Sequence, residues 1–220
     1  GNETVYLYGS NFGPVSTLSS DSLYNEFVWY GPVSNRNVYK IYDCKVVVSH
    51  TKIQCISLES KNNITRTGFR WSVKIEDQTS LLSLNNESQY RRPEILNLVN
   101  HINMSTVGNE IVYLNGSNFG PASVLSSDSV YGEYVWYGPV TNYKSYQIRN
   151  CEVVLSHVTI KCVSLESKND VLRTGFKWTV KVEDQVSLSS INAESQYRVP
   201  KILNLSNHID MNTMGNETVH

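Results

Sequence analysis

The chain repeats itself, and that constrains its fold more than any other feature. Gly1-Asn-Glu-Thr-Val-Tyr-Leu-Tyr-Gly-Ser-Asn-Phe-Gly-Pro14 returns as Gly108-Asn-Glu-Ile-Val-Tyr-Leu-Asn-Gly-Ser-Asn-Phe-Gly-Pro121. The shift that carries Gly1 onto Gly108 holds without a gap through the second copy, and most of the paired positions are identical. A third start, Gly215-Asn-Glu-Thr-Val219, lies at the same shift again from Gly108. A unit of this length can bury a core of its own, so each copy is expected to be one folded domain.

Within each unit the apolar residues alternate. Val5 and Leu7 face inward while Tyr6 and Tyr8 face out; Cys44, Val46 and Val48 share a face, as do Ile53 with Cys55, and Trp71 with Val73 and Ile75. Ile95 and Leu98 are less regular, but Pro93 before them suits the start of an edge strand. Turn-forming clusters at 9–14, 30–33, 60–63 and 84–88 separate the runs. No stretch holds an apolar helical period for a dozen residues. The pattern predicts an all-β fold, one antiparallel β-sandwich per unit.

Four cysteines fall at Cys44, Cys55, Cys151 and Cys162. If Val48 and Thr51 flank a tight turn, Cys44 lies opposite Cys55, within disulfide reach. Closing so short a loop stabilises a domain by about 3 kcal/mol on the chain-entropy estimate. A zinc site or a reactive thiol is the alternative, but no second pair of His or Cys stands nearby. Disulfides imply an oxidising, extracellular setting, secreted or on the cell surface.

The pattern Gly-x-x-x-Val-x-Leu-x-Gly-Ser-Asn-Phe-Gly, a Cys…Ile-x-Cys hairpin and then Pro-x-Ile resembles the IPT/TIG domain. That resemblance implies an immunoglobulin-like sandwich of the kind found in plexin-type receptors, some transcription factors and starch-processing enzymes. It covers essentially all of both units, although the 16–37 stretch is longer here than in many members. It also sets the boundaries. Residues 1–92 form a first repeat whose first strand is missing, 93–199 a second repeat, and 200–220 the first strand and start of a third. Pro200, Ile202, Leu203, Leu205 and Val219 would then be a spare strand, either continuing a tandem array or completing the next subunit as a donor strand. Only Arg91 and Arg92 separate the repeats, too short a connection for a loose joint.

Sequons lie at Asn2, Asn63, Asn86, Asn103, Asn115, Asn204 and Asn216. Asn63 and Asn86 sit in expected loops, Asn103 between strands, and Asn115 pointing outward. Asp170 and Ala193 replace Asn63 and Asn86 in the second repeat, so the two copies would carry different glycan coats.

Catalytic signals are weak. His50 and His157 read as exposed turn residues, as do His101 and His208 in the strand linker. Glu76-Asp77 and Glu183-Asp184 read as solvated strand ends, since neighbours on a strand point to opposite faces. No triad-like local motif, phosphate-binding loop or metal motif stands out, and no catalytic residue, metal or cofactor is expected beyond N-linked glycans. Trp71 reads as core. Trp29-Tyr30 beside Gly31-Pro32 is more open and is the candidate ligand or packing surface.

With 19 basic and 20 acidic residues there is no basic stripe for nucleic acid, and no apolar run approaches the length that would span a bilayer. The expected function is therefore non-enzymatic. Near-identical tandem units favour a glycosylated extracellular filament or stalk, whose partner is itself, as a head-to-tail homopolymer or tandem array. An ectodomain fragment of an adhesion or receptor protein and a carbohydrate-binding accessory module are the alternatives.

Overall fold

Short strands whose side chains alternate between buried and exposed build four antiparallel sheets, two in each copy of the repeat. The structure is a computed structural model and describes residues 1–21, 25–83, 88–129, 131–190 and 195–203. Repeat 1 contains β1 (Thr4–Tyr8), β2 (Ser16–Thr17), β3 (Phe27–Pro32), β4 (Tyr39–Ile41), β5 (Lys45–Val48), β6 (Lys52–Ile56), β7 (Phe69–Ile75) and β8 (Gln78–Thr79). Repeat 2 opens with β9 (Glu94–Val99) and β10 (Ile111–Ser117). It continues through β11 (Ser123–Val124), β12 (Tyr134–Pro139), β13 (Tyr146–Ile148), β14 (Glu152–Leu155), β15 (Thr159–Val163), β16 (Phe176–Val182) and β17 (Gln185–Val186). Each strand of repeat 1 starts at the position equivalent to a strand start in repeat 2.

The sheets of repeat 1 run β1-β6-β5-β2 and β4-β3-β7-β8, and those of repeat 2 β9-β10-β15-β14-β11 and β13-β12-β16-β17. In each repeat both sheets feed one buried cluster, the arrangement of a β-sandwich. At its centre a tyrosine lies between two rings. Tyr30 stacks on Tyr39 at 4.6 Å and on Trp71 at 4.3 Å, and Tyr137 repeats this with Tyr146 at 4.7 Å and Trp178 at 4.4 Å. The Tyr30 hydroxyl accepts from the Leu58 amide (3.0 Å) and meets the Tyr90 hydroxyl (3.0 Å), so the polar tip is satisfied inside the core. Tyr30 is 1 % exposed. The reading of Trp29-Tyr30 as an open surface is therefore corrected for Tyr30, because β3 alternation turns it into the stack while Trp29 stays half-buried on the other face.

Bulges decide which residues face in. Pairing slips from Val46↔Ile53 to Val48↔Lys52, so β5 carries one extra residue and Val48 turns to solvent instead of sharing the Cys44 and Val46 face. In β9 the pairing steps from Asn97↔Asn115 to Ile95↔Gly116. Leu96 is the extra residue, and the skip returns both Ile95 and Leu98 to the core. The irregular spacing of Ile95 and Leu98 is thus the mark of a bulge.

β9 sets the two repeats apart: it pairs along β10, whereas among the described residues β1 pairs only with β6. With β9 paired beside β10, Val112, Leu114 and Phe119 are fully buried. Their counterparts Val5, Leu7 and Phe12 are only half-buried. Along the outer edge of β1 runs a cleft of ≈ 470 Å³, lined by Leu7, Gly9, Phe12, Trp71 and Leu81 among others.

Candidate functional site

The polar side chains that the sequence places at strand ends converge where the repeats meet. Repeat 1 contributes the loop before β7. Its Arg66 carbonyl is held by the Tyr90 amide at 2.8 Å, and Gly68, at φ +70, turns the chain into the strand. Repeat 2 contributes the turn between β16 and β17, where Glu183 sits at φ +53 and its amide donates to Glu133 Oε1 at 3.1 Å. That turn aims two adjacent carboxylates at one loop, which a regular strand would not do.

The contacts are specific. The Asn63 amide donates to Glu183 Oε1 at 2.7 Å and the Arg66 amide to Asp184 Oδ1 at 2.7 Å. Thr67 Oγ1 donates to Asp184 Oδ2 at 2.5 Å, so one carboxylate grips two successive residues. Arg66 Nη1 reaches the Asn118 carbonyl at 2.9 Å. Thr65 meets the Tyr131 hydroxyl through its amide (3.2 Å) and its hydroxyl (2.6 Å). Gln185 Nε2 donates to the Tyr90 carbonyl at 2.8 Å, and His157 Nε2 lies 2.7 Å from Glu59 Oε1.

Arg66 is 1 % exposed, and burial pulls its guanidinium below the ordinary arginine value, against the opposing pull of Glu183, Glu133 and Asp184. Burial, reinforced by the neighbouring Glu133 charge, pushes Glu183 up to about 7. A polar cavity of ≈ 120 Å³ adjoins the junction, lined by Arg66, Tyr90, Asn118 and His157 among others, with room for water beside the buried guanidinium. The junction can clamp one repeat on another. Removing one member of such a buried charged set costs about 3–5 kcal/mol, because it strands the remaining charge.

Two expectations are corrected here. Glu183-Asp184 is not a solvated strand end: Glu183 is buried and both side chains are engaged across the junction. His157 is not a free turn histidine, because the repeat 1 chain brings Glu59 to it. Arg66 and Thr67 were not singled out by motif reasoning. The available signal was that Arg-Thr-Gly (66–68, 173–175) and Glu-Asp-Gln (76–78, 183–185) are each identical in both copies.

The other expected site residues lie elsewhere. Cys44 is bonded to Cys55 and Cys151 to Cys162, each pair across the β5–β6 or β14–β15 hairpin. Asn2 and Asn103 are exposed, and Asn115 is half-buried on the outer face of β10, where its Oδ1 accepts from Thr159 at 3.0 Å. Asn63 is exposed although its amide is committed to the junction, and a cleft of ≈ 550 Å³ lined by Ser123, Ser126 and Asp128 opens beside it. Pro200, Ile202 and Leu203 are exposed and outside any strand, with Ile202 and Leu203 at 78 % and 84 %. Asn86, Asn204, Leu205, Asn216 and Val219 lie outside the described residues. Among the described residues no group of three His, Cys, Asp or Glu side chains is placed to hold a metal ion, and no helix is long and apolar enough to cross a membrane.

No family model matches the chain, and no curated protein matches it. Among solved structures, one resembling this chain is a crystal structure described as "with xylogluco-oligosaccharide", at 15 % identity and a TM-score of 0.38. The match covers 84 % of this chain and 36 % of that one, so this chain spans about a third of its length. A likeness at that level carries no argument about function.

Proposed function

We propose that this chain is part of a non-enzymatic structural protein, a head-to-tail stack of IPT/TIG-like, immunoglobulin-type sandwiches that forms an N-glycosylated extracellular filament or stalk. The junction carries the reading. A connection of two arginines would by itself restrict the repeats, and Arg66, Asp184 and Glu183 add a buried polar clamp that resists bending. Such a joint suits a load-bearing array. The two disulfides suit an oxidising compartment.

The β1 edge supports the same reading. Pro200-Lys-Ile-Leu-Asn-Leu205 matches Pro93-Glu-Ile-Leu-Asn-Leu98, the sequence leading into and along β9. Added antiparallel to β1 of the next repeat, it would place Ile202 and Leu205 over the cleft beside Leu7 and Phe12, with backbone bonds giving affinity and the alternating apolar residues giving register. Asn2, Asn63, Asn86, Asn103, Asn115, Asn204 and Asn216 are the proposed glycan acceptors.

Electron microscopy of the native material under non-reducing conditions tests this. Filaments that dissociate in denaturing electrophoresis into units near the mass of this chain plus glycan indicate strand exchange. Filaments that run as one very large chain indicate a covalent array. Isolated particles overturn the proposal, and an intact mass unchanged by an N-glycosidase overturns its glycan part.

A further inference from the structure

Both faces of the junction occur twice in the chain, and among the described residues one of each is exposed. The loop recurs in repeat 2, where Arg173 and Thr174 are the counterparts of Arg66 and Thr67. Its backbone is already set, with the Tyr197 amide on the Arg173 carbonyl at 2.9 Å and Gly175 at φ +69, against +70 for Gly68. Yet Arg173 and Thr174 are exposed.

The acidic face recurs in repeat 1. The Glu76 amide donates to Glu26 Oε1 at 3.1 Å, as Glu183 does to Glu133, and φ is +52 at Glu76 against +53 at Glu183. Asn11, the counterpart of the Asn118 whose carbonyl holds Arg66, has φ +63 against +62. Glu76 and Asp77 are exposed. The floor of the seat also matches. At Gly120 a Cβ would collide with the Arg66 guanidinium, whereas at Gly13, also at positive φ, a Cβ would meet nothing within 4 Å.

We propose that Arg173-Thr174 of one copy docks on Glu76-Asp77 of a second copy of this chain, so that the junction inside each molecule is repeated between molecules. This rests on the head-to-tail reading above and names its interface. The contacts that Arg66 and Thr67 make inside the molecule each have a counterpart. The Arg173 amide and Thr174 hydroxyl meet Asp77, the guanidinium reaches the Asn11 carbonyl over Gly13, and its charge faces Glu26, Glu76 and Asp77. Contacts of this kind are heterologous, and where their rotation does not close into a ring they grow into a fibre.

Two substitutions set its strength. Residue 63 contributes its amide, which Asp170 also offers, but Asp170 adds a carboxylate beside Glu76. Leu172 lacks the hydroxyl with which Thr65 meets Tyr131. The contact between copies is therefore weaker than the contact within one, and it assembles reversibly.

Sedimentation velocity on three forms of the chain tests this. Wild type is expected to associate as concentration rises, while Asp77→Arg and Arg173→Ala each stay monomeric. Both positions are exposed, so both variants should fold with an unchanged Tm. An equimolar mixture of Asp77→Arg with Arg173→Ala should form a 1:1 dimer and stop there, because the first keeps Arg173, the second keeps Glu76-Asp77, and the two altered faces carry no opposite charges. Asp170→Asn should tighten wild-type association several-fold. If wild type and both variants associate alike, this interface is wrong while the filament reading stands. If wild type stays monomeric, the interface is wrong and microscopy of native material decides the filament reading by itself.

Discussion

Phe12 and Phe119 are the same residue in the same turn of two copies, yet Phe119 is buried and Phe12 is half open. Their sequence neighbourhoods are almost identical; the difference is β9. Pairing one six-residue strand along β10 closes the Phe119 side of repeat 2, while among the described residues β1 pairs only with β6 in repeat 1. Burial here belongs to the sheet that surrounds a residue more than to the residue itself. An exposed apolar edge of this kind is also a template for another strand.

The sharpest way to break the comparison is to truncate both phenylalanines. Phe119→Ala should cost about 3–5 kcal/mol, as for a fully buried aromatic. Phe12→Ala should cost about 1–2 kcal/mol, because much of its surface is already wet. Differential scanning calorimetry of the two variants checks this, and equal losses would mean that β9 does not account for the difference.

The arginines give the next contrast. Arg66→Ala removes the buried guanidinium that faces the Glu183, Glu133 and Asp184 charges and bonds the Asn118 carbonyl, and should cost about 3 kcal/mol. Arg173→Ala, at an exposed position, should stay within about 0.5 kcal/mol in a dilute, monomeric sample. Urea unfolding read at fixed low concentration compares them.

A smaller effect is expected from pH. Glu183 titrates near 7 in the folded protein against an ordinary value of 4.5, so between these values the folded junction holds more protons than the unfolded chain. Stability from this group therefore falls as pH rises from about 4.5 towards 7. Glu183→Gln should flatten that part of the profile. The smallest effect belongs to the bulges: Val48→Thr and Leu96→Thr, both at solvent-facing positions, should each shift stability by no more than about 0.5 kcal/mol.

Much of the architecture was legible because it is local or periodic. The repeat offset, the inward faces of β1, β6 and β7, and the Cys44–Cys55 pairing follow from self-similarity, alternation and a tight turn, since the Thr51 amide does close on the Val48 carbonyl at 3.1 Å. The bulges were hidden, although the odd step from Ile95 to Leu98 was their trace. The junction was not legible. Asp184 and Thr67 are 117 residues apart, and Glu76-Asp77, with the same sequence, stands in solvent. A motif whose two occurrences differ only in what lies opposite cannot be assigned from its own residues.

The disulfides have a mechanical consequence. If a repeat is pulled from its ends and its strands peel away, the 11-residue separation between Cys44 and Cys55 stays shorted by the sulfur bridge, whose Cα atoms are 4.5 Å apart. Fully extended, that segment would add roughly 32–35 Å of contour length. Each repeat thus withholds that length under tension until a reductant releases it, so an array of such repeats stretches less far when oxidised than when reduced.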